Sequence, residues 1–364
     1  MHPYKDLDES KFWATAVANK NFLEISGLWD PKFQISPHDR ITTFGSCFAQ
    51  HIGRSLAQRG FNWMDMEPAP EQLSEASRKK FNYGVFSART GNIYTTSLFR
   101  QWTEWALGEK APPDEVWEKD GRYYDPFRPN IEPNGFKSIE ELARTRARTI
   151  QAFRDAVTTT DILVFTLGLT ESWFNEPFGY EYPMCPGTVA GEFREAEHTF
   201  VNQKFGFILD NLKTTLKKIR SENPKLRVLL TVSPVPLTAT KSKNHVLVAT
   251  MESKSILRAV AGQLCQGQSY IDYFPSYEII NSPVFRGAFF DANQRTVSSA
   301  GVQHVMNLFF KDLDASGLQQ SGGRKQPSGN PASAARPRNT EADDDDVVCE
   351  EALLAAFGNG RADT

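Results

Sequence analysis

The sequence predicts an α/β fold: a central parallel sheet with helices on both faces, making an α/β/α sandwich of three layers. Two observations carry that reading. Short apolar runs recur along the chain, as in Asp161-Ile162-Leu163-Val164-Phe165-Thr166 and Leu226-Arg227-Val228-Leu229-Leu230-Thr231-Val232. Between them lie longer stretches with apolar residues at helical spacing. Strands buried on both faces read as continuous apolar runs, and their alternation with amphipathic helices makes β-α-β units. In sheets of that kind functional residues collect just past the C-terminal ends of the strands.

The elements follow in order. Residues 1–39 are mixed and aromatic-rich, and are expected to wrap the domain. Residues 41–44 suit a short buried strand; a helix follows through Leu56 and Gln58, with Gly60 as its stop. Residues 62–135 form a loop-rich insertion with many aromatics, Pro and Gly. Ser138 and Glu141 have the spacing of a capping box, which opens a helix running to about residue 157. Strands are expected at 161–166, 226–232 and 270–273, and helices at about 202–219, 252–264 and 298–310.

The main domain therefore spans residues 40–314. Residues 315–346 are rich in Ser, Gly, Pro, Gln and Asn, and end in Asp343-Asp344-Asp345-Asp346. They have too few apolar residues to bury and read as a disordered linker. In the last segment, 347–364, Val348, Leu353, Leu354 and Phe357 mark a short amphipathic stretch over 347–357 that can dock on the domain or on a partner.

Composition narrows the function classes. A formal charge of −3 gives no basic field for a phosphate backbone, which argues against nucleic-acid binding. No run approaches the ~18 apolar residues that cross a bilayer. Met1-His2-Pro3-Tyr4-Lys5-Asp6 lacks the regions of a secretory signal. Four scattered cysteines without a Cys-x-x-Cys pair point to a reduced, cytoplasmic protein and to no metal centre. No Gly-x-Gly-x-x-Gly and no phosphate-loop Lys follow a strand, which sets nucleotide binding aside, and no cofactor is called for.

Three strand ends are unusual: Gly45-Ser46, Gly168-Leu169-Thr170-Glu171 and Ser233-Pro234-Val235. A serine hydroxyl becomes a nucleophile when a base takes its proton and donors stabilise the oxyanion. On a strand-to-helix turn the N–H groups of the first helical turn point outward beside it. The competing reading of Ser46 is a helix cap, a favoured use of serine. Cys47, one residue on, is expected to turn into the helix packing. Gly168 can offer its N–H to a substrate oxygen, with Thr170 or Glu171 beside it; the competing reading is a plain β-α turn. Of six histidines, His51 is expected to face away from the turn and His304 to pack inside the last helix. His245 follows the Ser233-Pro234 strand end, on the correct edge of the sheet for a general base.

Gly45-Ser46-Cys47-Phe48-Ala49 resembles the signature of the GSCFA family, a branch similar to the SGNH (GDSL-like) esterases. Asn82-Tyr83-Gly84, Thr166-Leu167-Gly168, Thr231-Val232-Ser233-Pro234-Val235, Ser253-Lys254 and Tyr273-Phe274-Pro275-Ser276-Tyr277-Glu278 resemble family segments in the same order, over about residues 38–312. The resemblance implies a flavodoxin-like sheet of the SGNH type, with Ser46 as nucleophile. Gly84 takes the place of the second-motif glycine, and Gly168 with Thr170 the place of the third motif. It departs from the pattern where an Asp-x-x-His motif is usual: Thr296 stands where the histidine belongs, downstream of Asp291.

Two readings follow. One is a serine-dependent acyl esterase or acyltransferase for an O-acylated small molecule or glycan. In it Ser46 attacks, His245 (or, second, His304) is the base, Asp291 or Glu171 orients it, and Gly84, Gly168 and the Ser46 N–H hold the oxyanion. The other is an SGNH-like pocket without a base that binds a carbohydrate or protein partner.

Overall fold

The computed structural model describes residues 2–316 and 347–358; the greater part of the expected linker, from residue 317, lies outside them. The first strand, β1 (Ile41–Gly45), is buried along its whole length and runs straight into α1 (Phe48–Gln58). The chain continues through α2 (Glu75–Lys80), α3 (Thr96–Ala106), a small hairpin of β2 (Trp117–Lys119) and β3 (Arg122–Tyr124), and α4 (Ile139–Thr159). Then come β4 (Ile162–Leu167), β5 (Glu171–Asn175), β6 (Tyr180–Tyr182), β7 (His198–Asn202) and α5 (Phe205–Glu222). The domain closes with β8 (Arg227–Val232), α6 (Val246–Gly267), β9 (Ile271–Tyr273), α7 (Ser276–Asn281) and α8 (Ser299–Ala315). A single 3₁₀ segment, Glu350–Phe357, follows.

The central sheet is parallel, in the order β1-β4-β8-β9, with Gly45 beside Thr166 and Thr166 beside Thr231. On the outer side of β1, Ile41 N–H donates to Asn62 and Met64 N–H donates to the Ile41 carbonyl. The extended segment at 62–64 thus pairs parallel to β1 and makes it an interior strand. With 62–64 on one side of β1 and β4 on the other, the chain changes direction across the sheet at β1, the position where sheets of this kind collect functional residues beyond the strand ends.

Side-chain alternation along the strands builds two cores. Phe44, Leu163, Phe165, Leu167, Val228, Leu230 and Val232 face one side, covered by α3, α4, α5 and α6. Ile41, Ile162, Val164 and Leu229 face the other, covered by α1, α7 and α8. The N-terminal residues lie along this second layer. Trp29 stacks on Phe309 with ring centroids 5.1 Å apart, and its indole N–H donates to Asp272 at 3.1 Å.

The four sheet strands and the helices α1, α4, α5 and α8 stand within a few residues of their expected places, α6 begins earlier than expected at Val246, and the short covering helix α7 was not expected. Ser138 caps α4, its hydroxyl accepting from Glu141 N–H, while the Glu141 carboxylate reaches back to Lys137 N–H. The insertion differs from its loop-rich expectation. It holds α3, capped by Thr95, whose hydroxyl accepts from Leu98 N–H at 3.1 Å. This helix buries Trp102, Phe99 and Leu98 almost completely, so tertiary burial overrides a composition with modest helix propensity. An antiparallel sheet, β6-β5-β7, also projects after β4. Its two ends are tied at the base by Gln203 N–H donating to the Thr170 carbonyl at 2.8 Å. No helix among the described residues is long and apolar enough to cross a membrane.

Candidate active site

Ser46 sits where β1 becomes α1. Gly45 makes that turn with φ +121°, and a Cβ there would lie 2.2 Å from the Thr166 carbonyl oxygen, so only glycine fits. The Ser46 carbonyl accepts from Ala49 N–H at 2.8 Å and starts the helix. Its side chain is 2% exposed, and its hydroxyl has no hydrogen-bond partner among the described residues. Ser46 is therefore not a capping side chain. A buried hydroxyl without a partner is costly unless something else meets it there. The Ser46 N–H, however, donates to the Thr166 carbonyl at 3.0 Å and extends the ladder with β4.

A segment that sequence reasoning passed over crosses this corner. Ile93 N–H donates to the Gly45 carbonyl at 2.8 Å, and the Tyr94 carbonyl accepts from Gly168 N–H at 3.0 Å. Residues 91–94 thereby bridge the ends of β1 and β4, with Gly91 at φ +70° making the bend. Asn92 is 2% exposed, and its Oδ1 accepts from Gln50 Nε2 of α1 at 3.0 Å. Both amides reach the same outside group, the carbonyl of Val348: Gln50 Nε2 at 2.7 Å and Asn92 Nδ2 at 2.8 Å.

The other expected residues are placed as follows. Gly168 is at the end of β4, with its N–H committed to Tyr94 and its carbonyl accepting from the buried Lys254 ammonium at 2.6 Å. Thr170 is fully buried; its N–H donates to Ser253 Oγ at 3.1 Å and its hydroxyl to Asn202 Oδ1 at 2.6 Å. Ser253 and Lys254 of α6 thus hold this corner from below. Glu171 accepts from the Thr240 hydroxyl. Gly84 is on an exposed turn with φ +72°, beside Tyr83 under the Arg89 guanidinium; the glycine next to the β1 corner is Gly91.

The histidines separate clearly. His245 is exposed and caps α6, its Nδ1 accepting from Leu247 N–H at 3.2 Å. His304 stacks on Phe289 with centroids 4.5 Å apart, and burial holds its imidazole below the ordinary histidine value. His51 differs from its expectation. Cys47 and His51 are one helical turn apart, and both line a cavity of about 430 Å³ with Asp291, Arg295 and Thr296. Residues four apart share a helix face, which the outward assignment of His51 overlooked. Thr296 accepts a hydrogen bond from Asn293 Nδ2 at 2.9 Å.

The C-terminal segment forms part of the wall of this cavity: Val347, Cys349 and Ala352 line it too. Further on, Leu354 and Phe357 line a second cavity of about 380 Å³, with Glu171, Trp173, Phe200 and Thr240.

A family model described as the GSCFA family matches residues 40–309. A solved structure, the Clostridium thermocellum family 3 carbohydrate esterase, is similar at 11% identity and a TM-score of 0.24, covering 62% of this chain and 92% of that one. No curated protein matches the chain. The family match begins one residue before β1, carries the Gly45-Ser46 turn and ends inside α8, so it takes in the whole central sheet. The chain belongs to the GSCFA family.

Proposed function

We propose that the protein is a serine-dependent acyl esterase or acyltransferase acting on an O-acylated small molecule or glycan, with Ser46 as nucleophile. The observation that carries this reading is the Ser46 hydroxyl itself. It is buried, engaged by no described residue, and held on a glycine-only turn at the C-terminal ends of β1 and β4. The glycan preference comes from the likeness of the motifs to SGNH esterases. Ser46 Oγ attacks the acyl carbonyl, the alcohol leaves with a proton from the base, and water or an acceptor hydroxyl resolves the acyl-enzyme.

The N–H groups of Ser46 and Gly168 are committed to backbone carbonyls at the sheet corner, whereas Asn92 Nδ2 donates to the C-terminal segment and to the Tyr94 hydroxyl, so Asn92 Nδ2 is the donor best supported for the oxyanion. His51, beside Cys47 and in one cavity with Asp291, is better supported as base than His245, whose Nδ1 caps α6. The test is intact mass after exposure to a fluorophosphonate, for the wild type and for Ser46→Ala, His51→Ala, His245→Ala and His304→Ala. A single adduct lost in Ser46→Ala and His51→Ala supports the reading; an unlabelled wild type sinks the nucleophile.

A binding module is the second reading. It is favoured by Thr296 at the place where the related enzymes carry histidine, and by the absence of any base bonded to Ser46 Oγ among the described residues.

A further inference from the structure

The Val348 backbone meets the site in a particular way. Its N–H donates to Gln50 Oε1 at 3.0 Å, while its carbonyl accepts from Gln50 Nε2 at 2.7 Å and from Asn92 Nδ2 at 2.8 Å. One side-chain amide therefore pairs with the N–H and the C=O of one residue. In an extended residue those two groups point to the same side, as in a hydrogen-bonded strand pair. In a single trans amide, such as an acetamido substituent, they point to opposite sides. The pattern thus selects polypeptide backbone over an N-acetyl group. Gln50 and Asn92 are 3% and 2% exposed with the segment in place, and they are held toward it by Gln50 Nε2 donating to Asn92 Oδ1 at 3.0 Å and Asn92 Nδ2 donating to the Tyr94 hydroxyl at 3.2 Å.

We propose that Gln50 and Asn92 form a peptide-backbone subsite beside Ser46, and that the chain's own segment Val347–Phe357 fills it as a competitive plug. Among the contacts that hold the plug are the three hydrogen bonds at Val348, and Leu354, half-buried against the apolar cavity next to Trp173 and Phe200. Being covalently attached, the segment competes at the effective concentration of its tether rather than at that of the free protein. The plug keeps substrate from the Ser46 corner until it is displaced. The subsite stands independently of the proposed nucleophile; only the consequence for Ser46 rests on it.

Cys349 reports occupancy, because it follows Val348 directly, lines the cavity beside His51 and accepts from Arg295 Nη2 on its sulfur while the segment is in place. The full-length wild type is compared with Val348→Pro, which removes the N–H donor, and with Leu354→Asp. Both changes lie in the segment, outside the two sheet cores, so the fold is retained; thermal unfolding verifies this. Site-resolved mass spectrometry follows iodoacetamide alkylation of Cys349, and fluorophosphonate labelling follows Ser46. Losing one backbone hydrogen bond and its geometry is expected to speed Cys349 alkylation about tenfold. A synthetic peptide of residues 347–358 added to Leu354→Asp is expected to slow labelling of Ser46 again. Equal Cys349 rates in all three proteins overturn the subsite. Faster Cys349 alkylation with unchanged Ser46 labelling overturns the plug. Faster Cys349 alkylation with no labelling in any form supports the subsite and removes the serine nucleophile instead.

Discussion

Gly45 and Thr166 meet backbone to backbone: a Cβ on Gly45 would sit 2.2 Å from the Thr166 carbonyl oxygen and 2.7 Å from its nitrogen. The same Thr166 carbonyl accepts the N–H of Ser46 at 3.0 Å. The serine is thus aimed by the fit between two central strands. Gly45→Ala combines a left-handed φ with a clash against backbone, and is expected to lower stability by about 3 kcal/mol or more. Denaturant unfolding measures it, and a variant within about 1 kcal/mol of the wild type would mean the strands can part without penalty.

Asn92→Ala removes the side-chain donor next to the turn while leaving the Ile93 and Tyr94 backbone bonds in place. If Asn92 holds the oxyanion, acylation by an activated aryl ester falls about 100-fold or more, with the KM nearly unchanged. Initial rates on the wild type and the variant decide it. Equal rates would assign Asn92 to the backbone subsite alone.

Glu181 of β6 is 2% exposed and accepts from the hydroxyls of Thr95 and Ser97. Burial pushes its carboxyl up to about 7. A raised folded value means its contribution is complete below the unfolded carboxyl range and is lost as pH rises through about 7. The loss amounts to about 1.4 kcal/mol per pH unit within that window. Glu181→Gln cannot ionise, so its stability relative to the wild type is expected to rise between pH 5 and pH 8. Unfolding curves at the two pH values give the difference; a constant gap would show that Glu181 is charged throughout.

His304 works in the opposite sense. Burial against Phe289 holds its folded value below the histidine reference of 6.5. The unfolded chain takes up the proton first, so stability falls as pH drops below about 6.5. His304→Phe keeps the stack and removes the proton, and is expected to lose less stability than the wild type between pH 7.5 and pH 5. Parallel losses in the two proteins would place the acid sensitivity elsewhere.

The parts legible in the sequence were those whose environment is set by near neighbours in the chain. β4 and β8 are buried on both faces, so apart from Thr166, Thr231 and the half-buried Arg227 their residues had to be apolar. The Gly45-Ser46 turn carries its own chemistry in two adjacent residues. Asn92 and Gln50 were invisible for the contrary reason: their partner Val348 is 256 residues from one and 298 from the other, and no local spacing links them. Gln50 reads as an ordinary helical polar residue until the segment that buries it is in place. Lys254 stands out in the sequence only within the Ser253-Lys254 pair, because a lysine bonded to a distant carbonyl leaves no periodic trace. The strands β5 to β7 are short and mixed, and their pairing is decided by one another.

The bond from Gln203 N–H to the Thr170 carbonyl closes the neck of the β5–β7 projection. A loop whose ends are pinned within one hydrogen bond tolerates changes in its length at small entropic penalty. One wall of the second cavity, with Trp173 and Phe200, belongs to that projection, while the serine belongs to β1. Related chains can therefore lengthen, trim or re-side-chain this arm, and so reshape that wall, without shifting the strand that leads into the Gly45-Ser46 turn.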